Sequence, residues 1–374
     1  MRIAVLANVK PNAPVGAAVA PDAWAELDAP TTVEAIAAAL RLAGHEVASF
    51  EGDLGLVEAL PRFAPDVCFN LCEGHFGESR ESHVPALLEM LRLPYTGAGV
   101  LSLAVALDKP TTKTLLRARG IRTPPSQVFS HEGEALDPDL AFPLFVKPSR
   151  EGSGMGVTRN SLVHDEGALR VEVARVLRCY AQPALVERFV RGRDVTIGLL
   201  GNTSAPTAPL AGRAWRGLAR ARGLYVLPAL EVAHEGLLGS DGVAYTGQIK
   251  SSWQGDWERG RHYHCPSRLE PALEREVAEL AAATFHATGC RDFARVDLRL
   301  DEANGDVPYV LEINPLPGLA PGVADLCLQA DAAGLRYDEL VVGVLAQSVA
   351  RLGLAAVSRA RSRRGPRERA RARG

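Results

Sequence analysis

The sequence predicts an α/β protein whose first hundred residues fold as a doubly wound parallel sheet. Three observations lead there. Short apolar, β-branched runs alternate with helical periods over residues 1–102, the pattern of parallel strands joined by crossover helices. An apolar run, residues 142–146, delivers Lys147 at its end and passes into a glycine-rich loop. Near the end, two alternating runs flank Asp301-Glu302-Ala303-Asn304-Gly305-Asp306, which reads as a hairpin connection.

The elements follow in order. Residues 2–8 are the first strand, and residues 31–43 a helix stopped by Gly44. Residues 46–50 and 65–71 are strands, and residues 81–91 a helix. Between the first strand and helix, residues 12–30 are rich in Pro and Ala and read as a long loop. A middle unit, residues 103–190, carries a short helical pair, a strand, the glycine loop, a helix over 166–179 and a strand over 184–189. The last unit, residues 191–352, holds the hairpin and a final helix over 337–352. Within it, residues 202–225 carry Arg213, Arg216, Arg220, Arg222 and Trp215, and read as a surface insertion, with a substrate flap as the alternative. Residues 353–374 are arginines broken by small residues, Pro and Glu, with no apolar face, which predicts a disordered, solvated tail.

Composition narrows the function. The chain has 374 residues, enough for two or three cores, and 47% of them are hydrophobic. The net charge of -2 gives no global attraction to nucleic acid. No apolar run has membrane-spanning length, and the start is too short for a signal sequence. Six scattered cysteines, Cys68, Cys72, Cys179, Cys265, Cys290 and Cys327, offer no second pair to complete a zinc site. They read as reduced thiols of a cytoplasmic protein.

Two motifs carry chemistry. In Val310-Leu311-Glu312-Ile313-Asn314, Glu312 and Asn314 are two apart and share one strand face, while Leu311 and Ile313 turn to apolar packing. Asp297 lies on the preceding run, residues 293–300. Paired strands would gather Asp297, Glu312 and Asn314 as hard oxygen ligands, suited to one or two Mg²⁺ ions (or Mn²⁺) that also hold nucleotide phosphates. A polar, solvent-facing hairpin edge is the plain alternative. In Val146-Lys147-Pro148-Ser149-Arg150-Glu151-Gly152-Ser153-Gly154-Met155-Gly156, the glycines let backbone N–H groups approach phosphate oxygens. The loop is neither a Walker A motif nor a dinucleotide fingerprint. Alone it reads equally as a flexible turn.

Together with Leu93-Pro94-Tyr95-Thr96-Gly97-Ala98-Gly99, Leu107-Asp108-Lys109, Val186-Glu187-Arg188-Phe189 and Arg295-Val296-Asp297, these motifs give the chain its resemblance to the ATP-grasp carboxylate–amine ligases. Within them it resembles the D-alanine–D-alanine ligase family, over about Pro94 to Gly318. The resemblance implies the α+β ATP-grasp fold, with two domains clasping ATP, and an ADP-forming reaction through an acyl phosphate. It implies Lys109 and Lys147 as phosphate cations, and the backbone of Gly152, Ser153 and Gly154 as a phosphate cover. It places the adenine hinge, mostly through backbone atoms, at Glu187, Arg188, Phe189 and Val190, and the ribose contact at Asp194. Arg295 and the N–H of Gly318 would stabilise the oxyanion, Ser153 would join a hydrogen-bonded group at the substrate, and Lys250 would be the mobile-loop lysine. Substrates would be small amino or carboxylic acids, and the family's common state is a homodimer.

The departures concern the substrate. Ser251 stands where the family has a tyrosine, and Val323 near its acceptor-binding serine. The N-terminal donor signature is absent, leaving Glu26, Asp28 and Glu34 as candidates to hold an ammonium. The acidic loop 69–78 adds Glu73 and His75 at a strand end, where α/β folds place ligands. Three readings stand: a divergent D-alanine–D-alanine ligase of cell-wall synthesis, a ligase joining other amino or carboxylic acids in a specialised pathway, or a nucleotide-binding protein without ligase activity.

Overall fold

The computed structural model describes residues 1–14, 20, 22–232 and 263–354. Lys250, Ser251 and the arginine-rich tail lie outside them.

The first unit is the expected parallel sheet. Strands β1 (Arg2–Ala7), β2 (Glu46–Glu51) and β3 (Val67–Leu71) pair in the order β2-β1-β3, all parallel. Strand β1 is buried on both faces, which is why it reads as a continuous apolar run. Ile3 and Val5 pack with α1 (Pro30–Leu42). Ala4 and Leu6 pack oppositely, with Leu56 and Leu60 of α2 (Leu56–Phe63) and Val84 and Leu88 of α3 (His83–Met90). Helix α2 was not legible as a separate element. The predicted helix 81–91 divides, because Arg80–Ser82 forms a tighter 3₁₀ turn before α3.

Helices α4 (Val100–Leu107) and α5 (Lys109–Ala118) follow as the expected pair. Asp108 separates them and caps α5, accepting the Thr111 N–H at 2.9 Å. Next comes an antiparallel four-stranded sheet, ordered β4-β7-β5-β6: β4 (Ser126–Phe129), β5 (Leu144–Pro148), β6 (Leu162–Val163) and β7 (Ala184–Arg188). Helix α6 (Glu166–Tyr180) covers it, packing Leu169, Val173 and Val176 on Leu144, Val146 and Val186.

The last unit centres on β8 (Asp194–Asn202). One edge pairs antiparallel with β13 (Arg291–Asp301), which continues to β14 (Val307–Asn314). The other edge is shared by β10 (Leu224–Val226) and β11 (Leu230–Val232), which lead to β9 (Ala219–Ala221) and β12 (Tyr263–His264). Helix α8 (Pro271–Ala287) covers one face through Val277, Ala281 and Phe285.

The surface-insertion reading of residues 202–225 is corrected. They supply the short helix α7 (Arg213–Gly217) and the β9–β10 hairpin, which pairs with β8. Trp215 is 3% exposed and stacks edge-on against Tyr225 at 5.5 Å. It lies over Gly343 of α10 (Tyr337–Arg351), where a Cβ would meet the indole at 2.6 Å. The arginines masked this, because the residues that turn inward, Trp215, Ala221 and those of β10, lie among them.

Asp292 ties the units together. Fully buried, it accepts the Gly97 N–H, the Ser348 hydroxyl and the Arg351 guanidinium at 2.8, 2.6 and 2.7 Å. One carboxylate thus links the first unit, β13 and the last helix.

Trp215→Ala is expected to lower the unfolding free energy by about 3–5 kcal/mol, the usual cost of emptying a buried indole site. Urea denaturation measures it, and a change of a few tenths would restore the surface-insertion reading.

Candidate active site

The β13–β14 hairpin forms with one irregularity. Asp297 pairs with Glu312 and Arg295 with Asn314, but Leu298 pairs with Val310, so Leu311 is an extra residue in β14. Such a bulge re-aims the side chains beside it. Leu311 therefore lines the cleft with Glu312 instead of turning to apolar packing, which corrects the strict alternation. Ile313 is buried as expected, at 2% exposure.

Between this sheet and the four-stranded one lies an open cleft. Phe145, Met155, Val157, Phe189, Leu298 and Leu311 give it apolar walls, a fit for a flat aromatic base. Lys109, Lys147, Gly154, Glu187, Arg188, Val190, Asp194, Asp297 and Glu312 also line it. At its mouth Asp194 stands 3.6 Å from Arg299, whose guanidinium lies over the Phe189 ring.

The expectation that Glu187 takes part mainly through its backbone misses its side chain. Glu187 is 3% exposed and joins Lys113 and Lys147, each at 2.7 Å. Burial alone would raise its pKa, but the two ammonium groups overcome this and hold it at about 2. Burial dominates at Lys113, pulling it down to about 8. At Lys147 burial is outweighed by Glu187 and then Glu312, which raise its pKa and keep the cation charged. Lys113 was missed by sequence reading. Its signal was the four-residue spacing from Lys109, one turn along α5.

Lys109 points the other way, donating to the Glu151 carbonyl and standing 3.2 Å from Glu312. Arg295 donates to Asp297 through Nε and Nη2 at 2.9 and 2.7 Å, and reaches Asp325 at 3.4 Å. Burial disfavours its charge, but Asp297 and then Asp325 raise its pKa, so it stays a fixed cation. Asn314 donates through Nδ2 to Asp297 at 2.9 Å, which leaves its Oδ1 available to a cation. Two carboxylates and an amide oxygen meeting at one hairpin are the hard donor set that Mg²⁺ takes, so the residues fit that ion.

The glycine loop closes over both sides of the hairpin. Gly154 lines the cleft and also a second pocket, which Gly152 and Ser153 share. A Cβ at Gly152 would meet Glu26 at 2.0 Å, and one at Gly156, where φ is +75°, would meet Pro148 at 2.4 Å. The described part of the predicted long loop holds it down: Asp22 accepts the Gly156 N–H and the Tyr180 hydroxyl, both at 2.8 Å. Arg80 bridges Glu26 at 2.7 Å and Glu151 at 3.0 Å.

The second pocket meets the cleft at Lys109, Gly154 and Glu312. Arg295, Asn314 and Gly318 form one wall, and Glu26, Asp28, Glu73 and Glu81 the other. Glu26 and Asp28 are thus placed as expected, whereas Glu34 is not. It is exposed on α1 and pairs with Arg41 at 2.7 Å. His75 lies elsewhere, edge-on to Trp24 at 5.7 Å. Val323 is 54% exposed and lines neither cavity. Glu81 was missed, because a lone glutamate before a helix reads as a first-turn residue. Burial raises its pKa to about 8, helped by Glu26. Burial likewise lifts Asp28 to about 6 and Glu73 well above the carboxylate range.

The model of the D-Ala–D-Ala ligase C-terminus matches residues 115–216 and 246–346. A D-alanine–D-alanine ligase B of Chromobacterium violaceum is 32% identical over 312 residues, 83% of this chain and 89% of its own length. The chain belongs to the D-alanine–D-alanine ligase family. With that family it is an ATP-dependent, ADP-forming ligase of the ATP-grasp fold. An uncharacterised Sinorhizobium fredii protein, y4sG, is 36% identical over 323 residues, 83% of this chain and 85% of its own length. In fold, the chain matches a D-alanine–D-alanine ligase of Bacillus anthracis complexed with ATP, with a TM-score of 0.66 and 23% identity over 93% of this chain and 97% of that one.

Glu187→Gln would leave Lys113 and Lys147 without their shared counter-charge, a loss of about 3–5 kcal/mol by urea denaturation. Because the folded pKa lies below the unfolded value of 4.5, the wild type carries this stability above that pH and loses it as pH falls toward about 2. The variant is expected to lack that acid-dependent component, and equal acid profiles would contradict the ion triad.

Proposed function

We propose that the protein forms an amide between an amino-acid carboxylate and an amine, with Arg295, Asp297, Glu312 and Asn314 at the centre of the reaction. The observation that carries this is the position of the hairpin. It is the shared wall of an apolar cleft that carries Lys109 and Lys147 and of a carboxyl-lined pocket, so a γ-phosphate and a carboxylate entering from opposite sides meet at it.

The chemistry runs in two steps. A carboxylate oxygen attacks the γ-phosphorus of ATP, the bond to the β-phosphate oxygen breaks, and ADP leaves. An amine that has lost a proton then attacks the acyl phosphate carbonyl, and inorganic phosphate departs as the amide forms. Gathering charge and excluding water are the protein's main tasks. Lys147, kept charged by Glu187, and Lys109, beside Glu312, attract the phosphates. Arg295 is held in place by Asp297 and faces the pocket, where it stabilises the acyl phosphate and the tetrahedral oxyanion with the Gly318 N–H. Asp297, Glu312 and Asn314 would hold Mg²⁺, which when bound supplies charge neutralisation at the phosphates. Gly152, Ser153 and Gly154 would cover the phosphates and keep water out, while residues 187–190 and Asp194 would receive the adenine and ribose.

Among substrates, a specialised ligation is favoured over D-alanine dimerisation in cell-wall synthesis. Supporting this, four carboxyl side chains besides Glu312 wall the pocket, and Val323 lies away from it. Among the described residues no helix is long and apolar enough to cross a membrane. We infer a cytoplasmic enzyme, homodimeric through its first unit.

Glu312→Gln is expected to lower ADP formation by at least about 10³-fold with an unchanged circular dichroism spectrum. Activity within tenfold of the parent would remove Glu312 from the metal site.

A further inference from the structure

The wall facing Arg295 holds more carboxyl groups than its cations compensate. Glu26 is paired with Arg80 at 2.7 Å and Glu312 with Lys109 at 3.2 Å. Arg295 is committed to Asp297 and Asp325. That leaves Asp28, Glu73 and Glu81, all lining the pocket, with no side-chain hydrogen bond or ion pair among the described residues. Glu81 is the most telling. It is 8% exposed, fixed on the Arg80–Ser82 turn, and lines the pocket with no side-chain hydrogen bond or ion pair among the described residues. A buried carboxyl without a partner is costly, whether it ionises or stays protonated. Three of them line one cavity, Glu73 and Glu81 each made less favourable by neighbouring carboxylates, and together they offer a surface to more than one positive charge.

A monoamino acid brings a single ammonium, which satisfies one or two carboxylates and leaves the remainder uncompensated. We propose that the pocket takes an amino acid with two ammonium groups, a diamino monocarboxylic acid. Its carboxylate meets Arg295, and its ammonium groups lie among Asp28, Glu73 and Glu81. Recognition is electrostatic and short-range, so an isostere with a methyl in place of the distal ammonium leaves at least one carboxyl unpaired in a desolvated site. This deepens the ligase reading, on which the orientation of the carboxylate rests.

Calorimetry of the full chain with Mg²⁺ and a non-hydrolysable ATP analogue tests it, using both enantiomers of ornithine and 2,4-diaminobutyrate against norvaline and 2-aminobutyrate. At least one diamino acid is expected to bind about 30-fold or more tightly than its neutral isostere. Glu81→Gln is expected to shrink that ratio below about tenfold, with the affinity for the ATP analogue unchanged. Glu73→Gln, at a half-buried position, gives the same reading if the buried variant does not fold. Equal binding of the isosteres, tighter binding of the neutral one, or no binding of either overturns the proposal. ADP release with ATP then separates the two claims. Selective binding of the diamino acid without ADP release supports the pocket assignment and overturns the ligase reading. ADP release with equal efficiency for isosteres or D-alanine does the reverse.

Discussion

The pairing register of β13 and β14 is the constraint on which the site depends. Shifting it by one residue would turn Asp297 and Arg295 to the opposite face, because side chains alternate strictly along a strand. Two features pin it. On one side β13 pairs with the long central strand β8 from Arg291 to Arg299 without interruption. On the other, the bulge at Leu311 absorbs one residue, so that Leu311 and Glu312 face the cleft while Ile313 still packs in the core. The same carboxylate that Arg295 holds is the one that faces Glu312, so one structural act positions the cation and shapes the proposed metal site.

Charge then divides the molecule's interior into two environments. On the side proposed for the nucleotide, two lysines share one glutamate, an arrangement with one net positive charge that a phosphate can complete. Taking these groups out of water is unfavourable, and breaking one partner away is worse, so the triad is both a stability element and a binding element. On the pocket side the imbalance has the opposite sign. Burial and mutual repulsion raise Glu81 to about 8, and a cationic ligand would restore its ionised form. Lys109 and Glu312 stand at the boundary, where both cavities meet.

Much of this was legible in the sequence, for identifiable reasons. The parallel sheet was readable because β1 and β3 are apolar on both faces. The hairpin was readable because Asp297, Glu312 and Asn314 keep their spacing on either side of a polar turn. What could not be read depended on tertiary contact. Lys113 is a helix residue whose role exists only because Glu187 arrives from another strand. Glu81 is a first-turn glutamate until residues 22–28 fold over it. Trp215 sits among arginines and declares itself only against Gly343. The bulge at Leu311 leaves no local mark, since an inserted leucine in an apolar strand looks like its neighbours.

The central claim is that the hairpin activates a carboxylate by moving phosphate onto it. The most direct measurement uses an amino-acid substrate labelled with ¹⁸O in its carboxylate, turned over with Mg²⁺ and ATP, with mass analysis of the released phosphate. Transfer through an acyl phosphate carries one ¹⁸O into each phosphate released. Amide formation with unlabelled phosphate would contradict the account, because the carboxylate oxygen would never have been bonded to phosphorus.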